Sequence, residues 1–310
     1  MTLMYKNLAI KGGGVKGAAY VGAIRELDKA NIYNSIERVS GTSAGAMMAC
    51  MICAGYSVDE IDQLMLDIQF TKFKDGWNPF RILSSYGPYT GKYILDFVES
   101  FLQKSPKKLP ANTRFIDMRN AGCRDLYVFA CDANIHDVTE FSADNTPDIS
   151  VAEAIRASMS IPFFFKAWQF SGKAFNGHLF IDGGVVYNYP LSFFDSDRFN
   201  TSQKDINPES IGLYLYTTKR EKEIPTGYFK PLNFSKQIFE SLLETQDYMV
   251  LQDREQLDRS IMIDDLHIPT TDFNITKRQL LELVKSGSDA AIKFINKEPV
   301  GDIEKALSIN

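Results

Sequence analysis

Apolar and polar positions follow two rhythms along the first sixty residues. Residues 8–11 are a short apolar run that ends in glycines and predict a buried strand. From about 17 to 30 the period lengthens, with Val21, Ile24 and Leu27 on one face of a predicted helix. Residues 36–40 repeat the strand signal, turn at Gly41 and lead into a helix through Ala54, with Gly55 as its C-cap. A strand-helix-strand-helix opening of this kind favours a parallel sheet with right-handed crossovers.

Further along, Ser57 with Glu60 and Ser150 with Glu153 have the spacing of capping boxes and open two more helices, the second stopping before Pro162. Residues 70–91 scatter Phe73, Trp77, Phe80, Tyr86 and Tyr89 among Gly and Pro. They read as a long aromatic loop, suited equally to a lid, a membrane-touching surface or internal packing. Residues 92–103 are predicted helical; 114–118 and 126–132 are predicted strands, with 138–141 to pair with them. Residues 163–165 and 179–181 are predicted strands around a turn at 172–177, and Asp182-Gly183-Gly184 follows as a second turn. The last predicted strand is 211–217. After Pro231 the pattern is helical, with one segment to about 257 and another from Thr276, capped with Gln279, to Asn296. The fold class these elements predict is α/β, a mostly parallel central sheet flanked by helices. A single domain over 1–310 is expected, with its core at about 5–220 and a mainly helical part at about 221–310.

Composition changes this picture little. Of 310 residues, 45% are hydrophobic and 24% charged, an ordinary globular balance. A net charge of −5 supplies no bulk attraction to nucleic acid, so nucleic acid is not an expected partner. Residues 1–10 lack a secretory apolar core, and the longest run of apolar and small residues, 44–55, is too short to span a bilayer. These features predict a soluble, cytoplasmic chain; an effector delivered without a cleavable signal would read the same. The four cysteines show no disulfide-framework spacing, and Cys50 and Cys53, although formally C-x-x-C, fall inside a predicted helix, where packing is the expected role.

Candidate chemistry lies at the ends of the first two strands. Gly41-Thr42-Ser43-Ala44-Gly45 matches G-x-S-x-G between a strand and a helix. In that context Gly41 and Gly45 permit a tight nucleophile elbow that exposes the Ser43 hydroxyl near the positive helix end. Gly12-Gly13-Gly14-Val15-Lys16-Gly17 also sits between a strand and a helix. It formally satisfies a dinucleotide fingerprint, but the next strand ends Val39-Ser40-Gly41, without the acidic residue that would hold a ribose. Converging backbone N–H groups at a helix start would equally suit an oxyanion, with Lys16 at the rim, either adding positive potential or simply solvated. A base for Ser43 is not evident from spacing. Only His136, His178 and His267 exist, and a nucleophile following the second strand comes early for a Ser-His-Asp hydrolase. Of the three, only His267 is late in the chain.

The glycine loop at 12–17, the elbow at 41–45, Arg156-Ala157-Ser158-Met159-Ser160-Ile161-Pro162 and Ile181-Asp182-Gly183-Gly184-Val185 resemble, in order, the four landmarks of the patatin-like phospholipase family, its bacterial members in particular. They span about the first 190 residues. The resemblance implies a three-layer α/β/α core and a Ser43–Asp182 dyad with no histidine. It also implies an oxyanion hole from the backbone N–H groups of Gly12, Gly13, Gly14 and Val15. The implied reaction is acyl-lipid hydrolysis by a phospholipase A or lysophospholipase-like enzyme, with a phospholipid or other acyl lipid as substrate. Transient contact with a membrane surface and room for a separate protein activator follow. No cofactor or metal is called for. Phe163, Phe164, Phe165, Trp168 and Phe170 could line an acyl pocket or fill a strand core, and Met47 and Met48 lie close to the nucleophile. A Ser-His-Asp esterase using His267, a silent lipid-binding module and nucleotide binding at 12–17 stay open as alternatives.

Overall fold

The computed structural model describes residues 4–172, 174–217 and 230–298. Parts of the expected C-terminal region, 221–229 and 299–310, lie outside the described residues. The strands are β1 (Asn7–Ile10), β2 (Arg38–Thr42), β3 (Asp125–Asp132), β4 (Asp137–Phe141), β5 (Phe180–Asp182), β6 (Ser210–Tyr216) and β7 (Ser260–Asp264). They form one sheet in the order β4-β3-β2-β1-β6-β7, with β5 paired to β3 off this path. All pairs from β3 through β2, β1 and β6 to β7 are parallel, whereas β4 and β5 run antiparallel to β3. The helices are α1 (Ala19–Lys29), α2 (Ala44–Cys53), α3 (Val58–Asp67), α4 (Arg81–Ser85), α5 (Lys92–Lys104), α6 (Phe115–Asn120), α7 (Val151–Ser158), α8 (Lys230–Gln252), α9 (Arg254–Asp258) and α10 (Lys277–Ile295).

Both faces of the sheet are covered, which explains why its strands read as nearly unbroken apolar runs. Leu8, Ile10, Val39, Val128, Ile211, Leu213, Ile261 and Ile263 belong to a large core shared with α1, α2 and α10. Their neighbours in the strands, Ala9, Tyr127, Phe129, Tyr214 and Met262, point the other way, as the twofold strand period requires. They meet Tyr189, Leu191, Phe194 and Phe199 from a loop and Leu257 from α9. Against the first face, α1 and α10 cross so closely that a Cβ on Gly287 would lie 1.9 Å from the Ala19 carbonyl oxygen.

Four local expectations change. Residues 114–118 are not a strand: Arg114 caps α6, and Asp117 accepts its N–H at 3.0 Å. Phe115 and Met118, three apart, are the buried pair, a helical spacing. Residues 163–165 make a turn in which Phe164 and Phe165 both donate to the Ile161 carbonyl, with Phe163 at φ 60°. The helix expected to run to 257 breaks at Asp253, whose carboxylate caps α9. The C-terminal third also supplies β7, a short apolar run whose partner β6 is far away in sequence and which period alone could not assign.

Candidate active site

The sheet register brings the two halves of the site together. β2 pairs with β3 as far as Thr42 opposite Phe129, and β5 takes over at the next position, with Asp182 opposite Ala130. Ser43, one residue past the end of β2, therefore meets Asp182 at the last position of the antiparallel β5. The Ser43 hydroxyl donates to Asp182 Oδ2 at 2.8 Å, and Gly184 N–H donates to Oδ1 at 2.8 Å. Ser43 sits at φ 54°, ψ −124°, a strained conformation that costs about 1–3 kcal/mol in a non-glycine residue. The elbow glycines explain how the turn closes. A Cβ on Gly41 would lie 2.4 Å from the Gly45 carbonyl oxygen, and one on Gly45 would lie 2.3 Å from that of Ile10.

Neighbouring polar groups hold this strain in place. Ser158, at the end of α7, accepts the Ser43 N–H at 2.8 Å and donates its hydroxyl to the Phe129 carbonyl at 2.5 Å. Ser160 accepts the Asp182 N–H through its carbonyl at 2.9 Å. Its hydroxyl accepts from Arg156, a fully buried guanidinium that also donates to the Thr90 and Lys166 carbonyls and lies over the rings of Phe165 and Trp168. Burial lowers the Arg156 pKa to about 10, so it is still cationic at neutral pH.

Asp182 is only 1% exposed, and burial pushes its carboxyl from 3.8 up to about 7. The Gly184 N–H, the Ser43 hydroxyl and the Arg156 charge pull it back only part of the way. The result is a carboxylate whose basicity is matched to neutral pH.

In the glycine loop the four N–H groups differ. Gly12 N–H donates to the Asn188 carbonyl at 3.0 Å and Val15 N–H to that of Thr270 at 3.2 Å, so both are already engaged. Among the described residues, those of Gly13 and Gly14 meet no protein acceptor. Gly14 has φ +57° and touches Thr270 so closely that a Cβ would lie 2.1 Å from its carbonyl oxygen. A cavity of about 40 Å³ beside the loop, lined in part by Gly12, Gly13, Asn188, Leu243 and Thr270, has room for about one water.

Lys16, expected at a solvated or charged rim, is instead buried, with its ammonium 2.7 Å from Asp265 just past β7. Asp265 also accepts the Thr217 hydroxyl at 2.6 Å and the His267 N–H at 3.0 Å. The lysine thus ties the first loop to the C-terminal third. His178 pairs with Asp132 at 2.6 Å, while the Ser43 hydroxyl meets a carboxylate. Cys50 and Cys53 are buried inside α2, where burial drives both thiols well above their ordinary range, as packing residues require.

Sequence reasoning did not assign Ser158, Asn188, Gln246, Asp265 or Thr270. Gln246, on α8, donates to the Gly184 carbonyl at 2.7 Å and accepts the Asn188 N–H at 2.9 Å, bracing the Asp182 turn. Ser158 and Ser160 lie inside the third landmark, so the motif marked their place but not their work.

A mostly parallel sheet with a strained serine on a strand-to-helix turn, a buried aspartate at the neighbouring strand end and a glycine loop beside them defines the patatin-like class. Residues 8–195 match the patatin-like phospholipase family, and the chain belongs to it. It is a lipid hydrolase enzyme by that membership. Two relatives illustrate the range. An uncharacterized protein of Acanthamoeba polyphaga mimivirus is 31% identical over 94% of this chain and 95% of its own. The cUMP-AMP-activated phospholipase of Escherichia coli is 26% identical over 67% of this chain and 64% of its own. Among solved structures, VipD from Legionella pneumophila shares the fold, with a TM-score of 0.62 at 18% identity, over 94% of this chain and 67% of that one. No described helix is long and apolar enough to cross a membrane.

Proposed function

We propose that the protein releases fatty acids from membrane acyl lipids through a Ser43–Asp182 dyad. The observation that carries this is the 2.8 Å hydrogen bond from a strained serine to a buried carboxylate whose pKa lies at about 7. Asp182 accepts the Ser43 proton as the hydroxyl oxygen attacks the acyl carbonyl, and the developing oxyanion turns toward the free N–H groups of Gly13 and Gly14. Collapse expels the lysolipid or alcohol oxygen, which takes the proton back from Asp182. Water then repeats the sequence on the acyl-enzyme and frees the acid. Gly12 and Val15 serve this reading by anchoring the loop at both ends, since their own N–H groups are engaged. A separate activator has its support in the cUMP-AMP-activated phospholipase of Escherichia coli, and that likeness favours a nucleotide over the protein activator expected from the resemblance.

The test is fatty acid release from mixed phospholipid vesicles, with chelator present and with or without a cell extract, comparing wild type with S43A and D182A. Chelator-resistant release that disappears in both variants is the expected result. Release that survives D182A would sink the dyad and send attention to His267.

A further inference from the structure

We infer that the lobe formed by residues 70–91, with Phe163 beside it, docks the enzyme onto anionic lipid bilayers; this deepens the reading above by naming the surface that delivers its substrate. Phe70 and Phe73 anchor the lobe in the core, whereas Trp77, Phe80, Leu83 and Tyr86 face outward from a segment braced by its own hydrogen bonds. The Asp75 carboxylate accepts the Thr90 hydroxyl and the N–H groups of Gly91 and Tyr93, each at 2.7 Å. Arg81 donates to the Gly76 and Pro88 carbonyls at 2.6 and 2.8 Å, and Asn78 N–H donates to Pro88 at 3.0 Å. With its backbone so braced, the lobe leaves Phe80 79% exposed and Leu83 88% exposed, and no residue of α4 is buried. Trp77, Tyr86 and Phe163 are each about half exposed. Five large apolar side chains exposed within one short lobe and the turn hydrogen-bonded to it mark an interaction site.

Charge selects the occupant. Although the chain carries a net charge of −5, residues 70–91 hold three cations, Lys72, Lys74 and Arg81, against one carboxylate, Asp75. Asp75 and Arg81 both bond the lobe's own backbone, which leaves Lys72 and Lys74 as the excess positive charge. Aromatic side chains that favour the headgroup region, next to basic ones, suit an anionic bilayer face. The lobe also adjoins the site. Tyr89 exchanges backbone hydrogen bonds with Phe164 and Lys166, and Arg156 ties Thr90 to Ser160, whose carbonyl holds Asp182.

Docking is measured on S43A, so that no chemistry intervenes, with vesicles of phosphatidylcholine alone or mixed with phosphatidylserine. Cosedimentation and a blue shift of tryptophan emission report binding. The expected result is tighter binding to the mixed vesicles, weakened by salt. In the same background F80S/L83S binds them on the order of a hundredfold more weakly, about tenfold for each apolar side chain withheld from the bilayer. With Ser43 restored, F80S/L83S loses hydrolysis of vesicle lipid but keeps its rate on a short-chain, water-soluble ester. Vesicle binding by F80S/L83S equal to that of its parent overturns the inference, as does a shift from oligomer to monomer with vesicle binding unchanged, which would make this face a protein interface. If no ester is cleaved by any form but vesicle binding still depends on Phe80 and Leu83, the dyad reading falls and the docking surface stands.

Discussion

Replacing Asp182 by asparagine should make the folded protein more stable, by an amount that grows with pH. The native carboxyl keeps its proton up to about 7, whereas an unfolded aspartate releases it near 3.8. Between those values the unfolded chain binds fewer protons than the native one, so the stability of the wild type falls as pH rises. Below the lower value both states are protonated and the penalty vanishes; above the upper one it is constant. At about 1.4 kcal/mol per pH unit the full penalty is about 4 kcal/mol, of which about 2–3 kcal/mol develops between pH ~5 and ~8. D182N removes the titration while its amide oxygen keeps an acceptor for Gly184 N–H. Urea unfolding of wild type and D182N across that range isolates the effect, because pH-independent differences between the two proteins cancel. The stability gap should widen by about 2–3 kcal/mol toward alkaline pH, while activity is lost. The same titration should appear in catalysis, with wild-type hydrolysis rising through a half-maximum near 7 as the base ionises. Stability curves that run parallel across the range would mean that Asp182 is already ionised at the acid end, and the reasoning from burial would be refuted.

Three further outcomes follow from the geometry. S158A strips the acceptor from the Ser43 N–H, which should lower kcat on a soluble ester about ten- to hundredfold with KM little changed; an effect on KM alone would exclude a positioning role. D265A strands the buried Lys16 ammonium and should cost about 3–5 kcal/mol in urea unfolding, most of it recovered in K16M/D265L; simple additivity of the single changes would deny the coupling. G287A forces a Cβ against the Ala19 carbonyl and should lower stability by about 1–3 kcal/mol in thermal melts, whereas an unchanged melt would disprove so close a helix crossing.

How much of this was legible in the sequence depended on how local each signal was. β1, β2 and α2 were readable because apolar period, turn glycines and the G-x-S-x-G spacing lie within a few residues of one another. The caps at Ser57, Ser150 and Thr276 were equally readable, and each side chain accepts the expected N–H, although at Ser150 the box is only half made because the Glu153 carboxylate turns to Ser171. β7 was not, since its stability comes from pairing with β6 and nothing in its five residues names that partner. The 163–165 run failed for the opposite reason: three aromatic residues carry strand propensity, but here Phe164 and Phe165 pack around Arg156, Tyr89 and Phe273 from a turn that leaves Phe163 half exposed. The Lys16 reading failed because a lysine beside a helix start is usually solvated, and its buried partner lies 249 residues away.

That last contact changes what the C-terminal third does. It carries no landmark of the family, and the family match ends at residue 195, so it reads as helical decoration. Yet the glycine loop and the Asp182 turn both rest on it. Asp265 holds Lys16, the Thr270 carbonyl holds Val15 N–H and excludes any side chain at Gly14, and Gln246 holds the turn that presents Asp182. In the proposed mechanism, engaging Val15 leaves Gly13 and Gly14 as the donors that would face an oxyanion, so a segment outside the motifs would select which N–H groups the loop can use. A glycine loop is permissive by nature and needs external contacts to hold one geometry. Here those contacts come from the loop after β7, through Asp265 and Thr270, and from α8, through Asn188.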